Sequence, residues 1–184
     1  MSEALIIGGS AGSFQIVKQI LEKLSPSLQI PIFLCIHRLK HVRKGFEETL
    51  AYNTRLQLRE PYDKEEIRKC IIYLAPANYH MMIEHGLTIA LSTENPLNHS
   101  RPSLDMSFSS AADVFGAGLV SILLSGANHD GTEGVAAVKR NHGTVIIQDP
   151  GDCEVVTMCE SALKTTQPDY LLSAPEIIEF VSLL

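Results

Sequence analysis

The apolar positions of this chain alternate between two patterns. Ala4-Leu5-Ile6-Ile7, Pro31-Ile32-Phe33-Leu34-Cys35-Ile36 and Leu119-Val120-Ser121-Ile122-Leu123-Leu124 are near-continuous apolar runs of strand length, and Thr144-Val145-Ile146-Ile147-Gln148 is another. A strand without polar alternation is covered on both faces, as in the centre of a parallel sheet. Between the runs, Phe14, Val17, Ile20, Leu21 and Leu24 recur at helical spacing. So do Leu104, Phe108, Ala111, Ala112 and Phe115, after a Pro102 that favours a helix start and before Gly116 and Gly118, which stop it. Residues 132–141 and 154–163 predict further helices, 46–53 a short one, and 149–152 a loop. Residues 56–60 suggest a brief edge strand, and 170–172 a short strand before a last helix with Ser173 as N-cap and Pro175 in its first turn.

Three extended stretches, 71–75, 79–84 and 87–91, lie in the middle of the chain. The last two are joined only by His85-Gly86 and predict an antiparallel hairpin attached to the main sheet. The order of elements gives an α/β class protein: a three-layer α/β/α, doubly wound, mostly parallel sheet with an antiparallel hairpin. No linker, repeat or low-complexity segment divides the chain, so residues 1–184 read as one domain.

Composition narrows the function classes. The chain is 45% hydrophobic, 20% charged and 6% aromatic, an aliphatic-rich globular balance. A formal net charge of -6 argues against general nucleic-acid binding, which needs a basic face. Met1-Ser2-Glu3 leads straight into the first strand, with no signal-peptide pattern, and the longest apolar runs are too short to span a bilayer. Cys35, Cys70, Cys153 and Cys159 show no C-x-x-C spacing and read as buried, reduced thiols of a cytoplasmic protein.

Candidate chemistry begins where the first strand ends. Gly8-Gly9-Ser10-Ala11-Gly12 fits G-x-S-x-G, the elbow that lifts a serine hydroxyl above a sheet edge. The same glycines before a helix also fit a phosphate cradle or a plain structural turn. Two residues elsewhere separate these readings. His37 follows the second strand and Asp130 follows residues 119–124, and parallel crossovers bring such strand ends to one rim. A serine needs an imidazole to accept its proton and a carboxylate to orient that imidazole, so Ser10, His37 and Asp130 form a candidate set. Each has a plainer alternative: a turn serine, a loop histidine, and an Asp capping the helix that begins near Gly131. A dinucleotide site is disfavoured because His37, not an acidic residue, closes the second strand. His37 and His41 lack the H-E-x-x-H pattern of a metal site, so no metal is expected.

Several ordered motifs together resemble the catalytic domain of CheB-type chemotaxis protein-glutamate methylesterases. They are Ile7-Gly8-Gly9-Ser10-Ala11-Gly12, Ile36-His37, Tyr73-Leu74-Ala75-Pro76 with His80, Arg101-Pro102-Ser103-Leu104-Asp105, and Leu124-Ser125-Gly126-Ala127-Asn128-His129-Asp130-Gly131. The resemblance implies a Ser10-His37-Asp130 triad that hydrolyses glutamyl methyl esters on the cytoplasmic helices of chemoreceptors without a cofactor, with glutamine deamidation as a secondary activity. It also points to the Ala127 amide as an oxyanion donor, while elbow geometry offers the Ala11 amide. The chain resembles a stand-alone catalytic domain without the family's receiver domain.

The chain departs from that family beside the reacting groups: Ala11 and Ser13 replace Thr and Gly, Ile36 replaces Gln, and Ala127-Asn128 replaces Met-Gly. A different ester substrate, or a non-catalytic sensory or scaffold domain, is therefore the competing expectation. Arg38, Lys40, Arg43 and Lys44 follow the proposed base, and the resemblance places Arg101 close by. This rim is read as a substrate-binding surface for an acidic receptor bundle, against the plainer reading of a solvated loop.

Overall fold

In a computed structural model, which describes residues 2–38 and 45–184, each continuous apolar run forms a strand that sends successive side chains into opposite cores. The elements are β1 (Ala4–Gly9), α1 (Phe14–Lys23), β2 (Ile32–Ile36), α2 (Phe46–Tyr52), β3 (Gln57–Arg59), β4 (Glu65–Glu66), β5 (Ile71–Leu74), β6 (His80–Glu84), β7 (Thr88–Ser92), α3 (Leu104–Phe115), β8 (Leu119–Leu123), α4 (Thr132–Arg140), β9 (Thr144–Gln148), α5 (Thr157–Thr165), β10 (Tyr170–Leu172) and α6 (Ala174–Ser182). Seven strands pair in the order β10-β9-β8-β1-β2-β5-β3, every pair parallel. Ile6, Phe33, Tyr73 and Ile147 face one core with Phe108 of α3, Val135 of α4 and Ala162 of α5. Leu5, Ile7, Leu34 and Ile122 face the other with Ile20 of α1, Leu50 of α2 and Ile177 of α6. The three layers are thus those expected from the sequence. From β1 the chain passes to β2 on one side and later returns to β8 on the other, which makes the carboxyl ends of these strands the place for a crevice.

Three expectations change in detail. The hairpin β6–β7 is not attached to the main sheet; it joins β4 in a separate antiparallel sheet of three strands. The reason lies in α3, whose serines occupy the outer edge of β6. Ser110 Oγ accepts the Ile83 amide at 3.0 Å, and Ser107 Oγ donates to the Met81 carbonyl at 2.7 Å, leaving those edge groups unavailable for a further strand. Pro102 precedes α3 instead of opening it, because Ser103 is the N-cap, its hydroxyl accepting from the Met106 amide. Residues 150–152 form a 3-10 turn, and α5 starts only at Thr157, because Val155 is held in bonds to Ser125 and Gly126. Among the described residues no helix is long and apolar enough to cross a membrane. Lys40, His41, Arg43 and Lys44 of the expected basic rim lie outside the described residues.

Candidate active site

β1 ends in a turn closed by two donors on one acceptor: the Ser13 amide and hydroxyl both reach the Ser10 carbonyl, at 3.1 and 2.7 Å. Ser10 stands at the head of that turn, between β1 and α1. Adjacent strand ends are tied to it directly. The Ser10 amide donates to the Ser125 carbonyl at 2.9 Å and the His37 amide to the Gly9 carbonyl at 3.1 Å. The residues after β1, β2 and β8 therefore meet on one rim, around a cleft of about 600 Å³. Its walls include Ser10, Ala11, His37, Ser100, Arg101 and Asn128.

His37 Nε2 lies 2.8 Å from Asp130 Oδ2. Asp130 is fully buried, and three more donors reach its carboxylate: the Leu104 amide at 2.7 Å, the Ser103 hydroxyl at 2.9 Å and the Asp105 amide at 3.1 Å. Two of these are orphan amides of the first turn of α3, where a helix favours negative charge. Burial pushes the Asp130 carboxyl up, but the His37 bond and the Leu104 and Asp105 amides outweigh it and hold the group below the ordinary carboxylate range. An ionised Asp130 accepts only, so in the neutral imidazole the single ring proton sits on Nε2 and Nδ1 carries the lone pair. The Ser100 hydroxyl lies 3.4 Å from Nδ1 and is itself held by Asn128 Nδ2 at 2.9 Å. Ser10 Oγ has no hydrogen-bond partner among the described residues.

Asp130 does not cap its own helix, the plainer role open to it in the sequence. Asp105 does that instead: its Oδ1 accepts from the Gly131 and Gly134 amides, both at 2.8 Å, while Asn98 Nδ2 holds Oδ2 at 2.9 Å. The starts of α3 and α4 thus exchange carboxylates. Burial and the charge of Asp130 push Asp105 up to about 6, against the Gly134 and Gly131 amides. The close approach of α3 requires Gly8, where a Cβ would come within 2.7 Å of Leu104 and Phe108.

Ala11 lines the cleft, and Ala127 is exposed beside Asn128; neither amide has an acceptor among the described residues. Arg101 lines the cleft, but its guanidinium is spent on Asn78 Oδ1 and the carbonyls of Thr93 and Glu94. Arg38 borders the cleft with a side chain only 2% exposed, paired with Glu60 and the Ala75 carbonyl and packed on the Phe46 ring. His80 is buried; its Nδ1 accepts from the Ser103 amide at 3.2 Å, and its Nε2 lies 3.2 Å from the Asn95 carbonyl. The sequence had offered no role for Ser100, Ser103, Asp105 or Asn128. Only the acidic residue two positions after a serine at a helix start could have signalled Asp105. Among the described residues, no cluster of three or more His, Cys, Asp or Glu is placed to hold a metal ion.

A doubly wound parallel sheet with a serine turn and a buried Asp–His pair on adjoining strand ends is the arrangement of a hydrolase. The chain belongs to the CheB methylesterase family, whose model matches residues 5–181. It is 37% identical over 177 residues to a Leptospira interrogans protein provisionally named protein-glutamate methylesterase/protein-glutamine glutaminase, covering 96% of this chain and 92% of that one. A Clostridium acetobutylicum protein of the same name is 31% identical over 183 residues, and the match covers 97% of this chain but 53% of the relative. The crystal structure of the Thermotoga maritima CheB methylesterase catalytic domain superposes with a TM-score of 0.91 at 27% identity, covering 100% of this chain and 98% of that one.

Proposed function

We propose that this chain is a cytoplasmic serine hydrolase that removes methyl groups from glutamyl methyl esters on the cytoplasmic helices of chemoreceptors, and deamidates glutamine there as a secondary reaction. Ser10 is the nucleophile, His37 the general base and Asp130 the residue that orients it. The observation that carries this reading is the 2.8 Å bond from His37 Nε2 to a buried Asp130 whose other lone pairs are occupied. It leaves Nδ1 as the basic atom, on a residue that lines the same cleft as Ser10.

The steps follow from those positions. Nδ1 takes the Ser10 proton as Oγ attacks the ester carbonyl, and the charge that develops on the carbonyl oxygen falls to the Ala11 and Ala127 amides. The imidazolium returns its proton to the departing methoxide, which leaves as methanol. A water deprotonated by Nδ1 then splits the acyl-enzyme to glutamate. With glutamine the leaving group is ammonia. Nothing in this sequence of steps calls for a cofactor or metal. The Arg38 charge, shared with Glu60, acts from within the wall, whereas Arg101 shapes the rim by binding the 93–94 backbone, so both serve an acidic substrate indirectly.

Methanol release from methylated receptor fragments tests the proposal. Ser10→Ala should lower it at least ~1,000-fold, and a fluorophosphonate should label Ser10 in the wild type. Equal release by the two proteins removes the assignment. Labelling without methanol release points to another ester, and neither signal points to a binding domain.

A further inference from the structure

The segment between β9 and α5 holds two cysteines that the hydrolytic steps do not use. Cys153 follows the 3-10 turn at 150–152, and Cys159 stands in the first turn of α5. Their sulfurs are 3.6 Å apart. The two sites differ in access: Cys159 is fully buried, its sulfur 3.9 Å from the Leu123 carbonyl at the end of β8, whereas Cys153 is half-buried. The hydrogen bond between the two sulfurs holds the Cys153 thiol below the ordinary range, despite burial and the charges of Asp152 and Asp149. The same bond, together with burial, pushes Cys159 up. An accessible, more acidic thiol beside a buried, protonated one is the arrangement of an attacking and a resolving cysteine. Cys35 lacks the first property, since burial pushes it up to about 12, and Cys70 has no second sulfur beside it among the described residues.

We propose that Cys153 and Cys159 are a reversible modification site, closed to a disulfide by an oxidant of the peroxide class, and that closure loosens the loop carrying Ala127. The Cys153 thiolate attacks one peroxide oxygen, the O–O bond breaks, and the departing hydroxide takes a proton to become water. The Cys159 sulfur then attacks the resulting sulfenic acid, the S–O bond breaks, and the hydroxide released takes the Cys159 proton. Two thiols lose two electrons in total, and the peroxide is reduced to two waters. A small-molecule thiol reverses the bond by exchange.

The coupling to the loop is geometric. Bond formation shortens the sulfur separation from 3.6 Å to about 2 Å. Cys159 is embedded in the core, so Cys153 and the strap behind it must move. That strap holds the loop before Ala127 at four points. The Val155 carbonyl accepts from the Gly126 amide and the Ser125 hydroxyl, both at 3.0 Å; the Val155 amide donates to Ser125 Oγ at 3.0 Å; and the Met158 amide donates to the Gly126 carbonyl at 3.0 Å. The catalytic consequence rests on the hydrolase reading; the thiol chemistry and the loop motion do not.

The test is to treat the whole protein with near-stoichiometric hydrogen peroxide and follow it by peptide mass spectrometry and amide hydrogen exchange. The peptides carrying Cys153 and Cys159 should become joined with loss of two hydrogen atoms, and dithiothreitol should restore them. Cys153→Ser should abolish the bridge, and Cys159→Ala should leave a Cys153 sulfenic acid that dimedone traps. Exchange of the 125–128 amides should rise several-fold on oxidation, and methanol release should fall ~10-fold, short of the ~100- to 1,000-fold loss of a deleted oxyanion donor. Overoxidation of Cys153 without a bridge, a bridge elsewhere, or a bridge with unchanged exchange at 125–128 would each overturn the proposal. Exchange and mass report whether or not Ser10 turns over, so a failure of the hydrolase reading shows up separately.

Discussion

Replacing Asp130 by alanine should cost the fold far more than replacing His37, although both changes should abolish turnover. Asp130→Ala leaves the Leu104 and Asp105 amides and the Ser103 hydroxyl without their acceptor, all at the buried start of α3. At ~1 to 3 kcal/mol for each buried group left unpaired, and allowing for a water that serves some of them, the loss is ~3 to 6 kcal/mol. His37→Ala removes one donor and leaves Asp130 with the other three, a loss of ~1 to 2 kcal/mol. For a chain of 184 residues, each kcal/mol moves the melting midpoint by ~2 to 4 °C, so a gap of ~1 to 5 kcal/mol should separate the two variants by ~2 to 20 °C. Calorimetry and denaturant titration at pH 7 measure the gap, and methanol release measures the shared loss of activity. The gap also has a pH dependence of known sign. The Asp130 group is held below its ordinary range, so its contribution is complete above the unfolded-chain value of ~4 and is lost as pH falls through the lower folded value. Variants that melt within about a degree of each other at pH 7 would show that Asp130 does not anchor α3.

Two further expectations come from residues around that anchor. Asp105 titrates near 6 in the folded chain against ~4 unfolded, so the folded state holds its proton more tightly, and this group's stabilisation is lost as pH rises from ~4 through about 6. Asp105→Asn should flatten that part of the stability profile, an effect of at most ~3 kcal/mol in urea titrations from pH 4.5 to 7.5; a slope identical to wild type would count against it. At Gly126 a Cβ would lie 2.5 Å from Met158 Cε, so Gly126→Ala should cost ~1 to 3 kcal/mol by overpacking. In a Met158→Ala background the same change should cost much less, and additive effects in this double-mutant cycle would refute the clash.

Much of the architecture was legible because the core strands are apolar on both faces and the helices keep strict spacing. Residues 4–7 and 119–124 could hardly be anything but central strands, and with them came the rim on which Ser10, His37 and Asp130 stand. The hairpin's partner was not legible, because it depends on Ser107 and Ser110, which look like ordinary helix-surface residues until α3 is laid against β6. The late start of α5 was hidden for a similar reason. It is set by the Ser125 hydroxyl, 30 residues away in sequence. Cys153 and Cys159 read in the sequence as buried, reduced thiols because they show no C-x-x-C spacing, and only the turn before α5 brings their sulfurs together. The expected basic rim was misleading in one respect: Arg38 reads as a free surface charge, yet its guanidinium is drawn into the wall by Glu60 and Phe46.

The exchange of carboxylates between α3 and α4 also bears on how this protein breathes. Opening the first turn of α3 releases Asp130, and opening the first turn of α4 releases Asp105, so neither helix start can fray without unsettling the other. The imidazole is fastened to this interlock through a single bond. Its orientation therefore has the lifetime of the α3–α4 packing and not of the exposed loops around it.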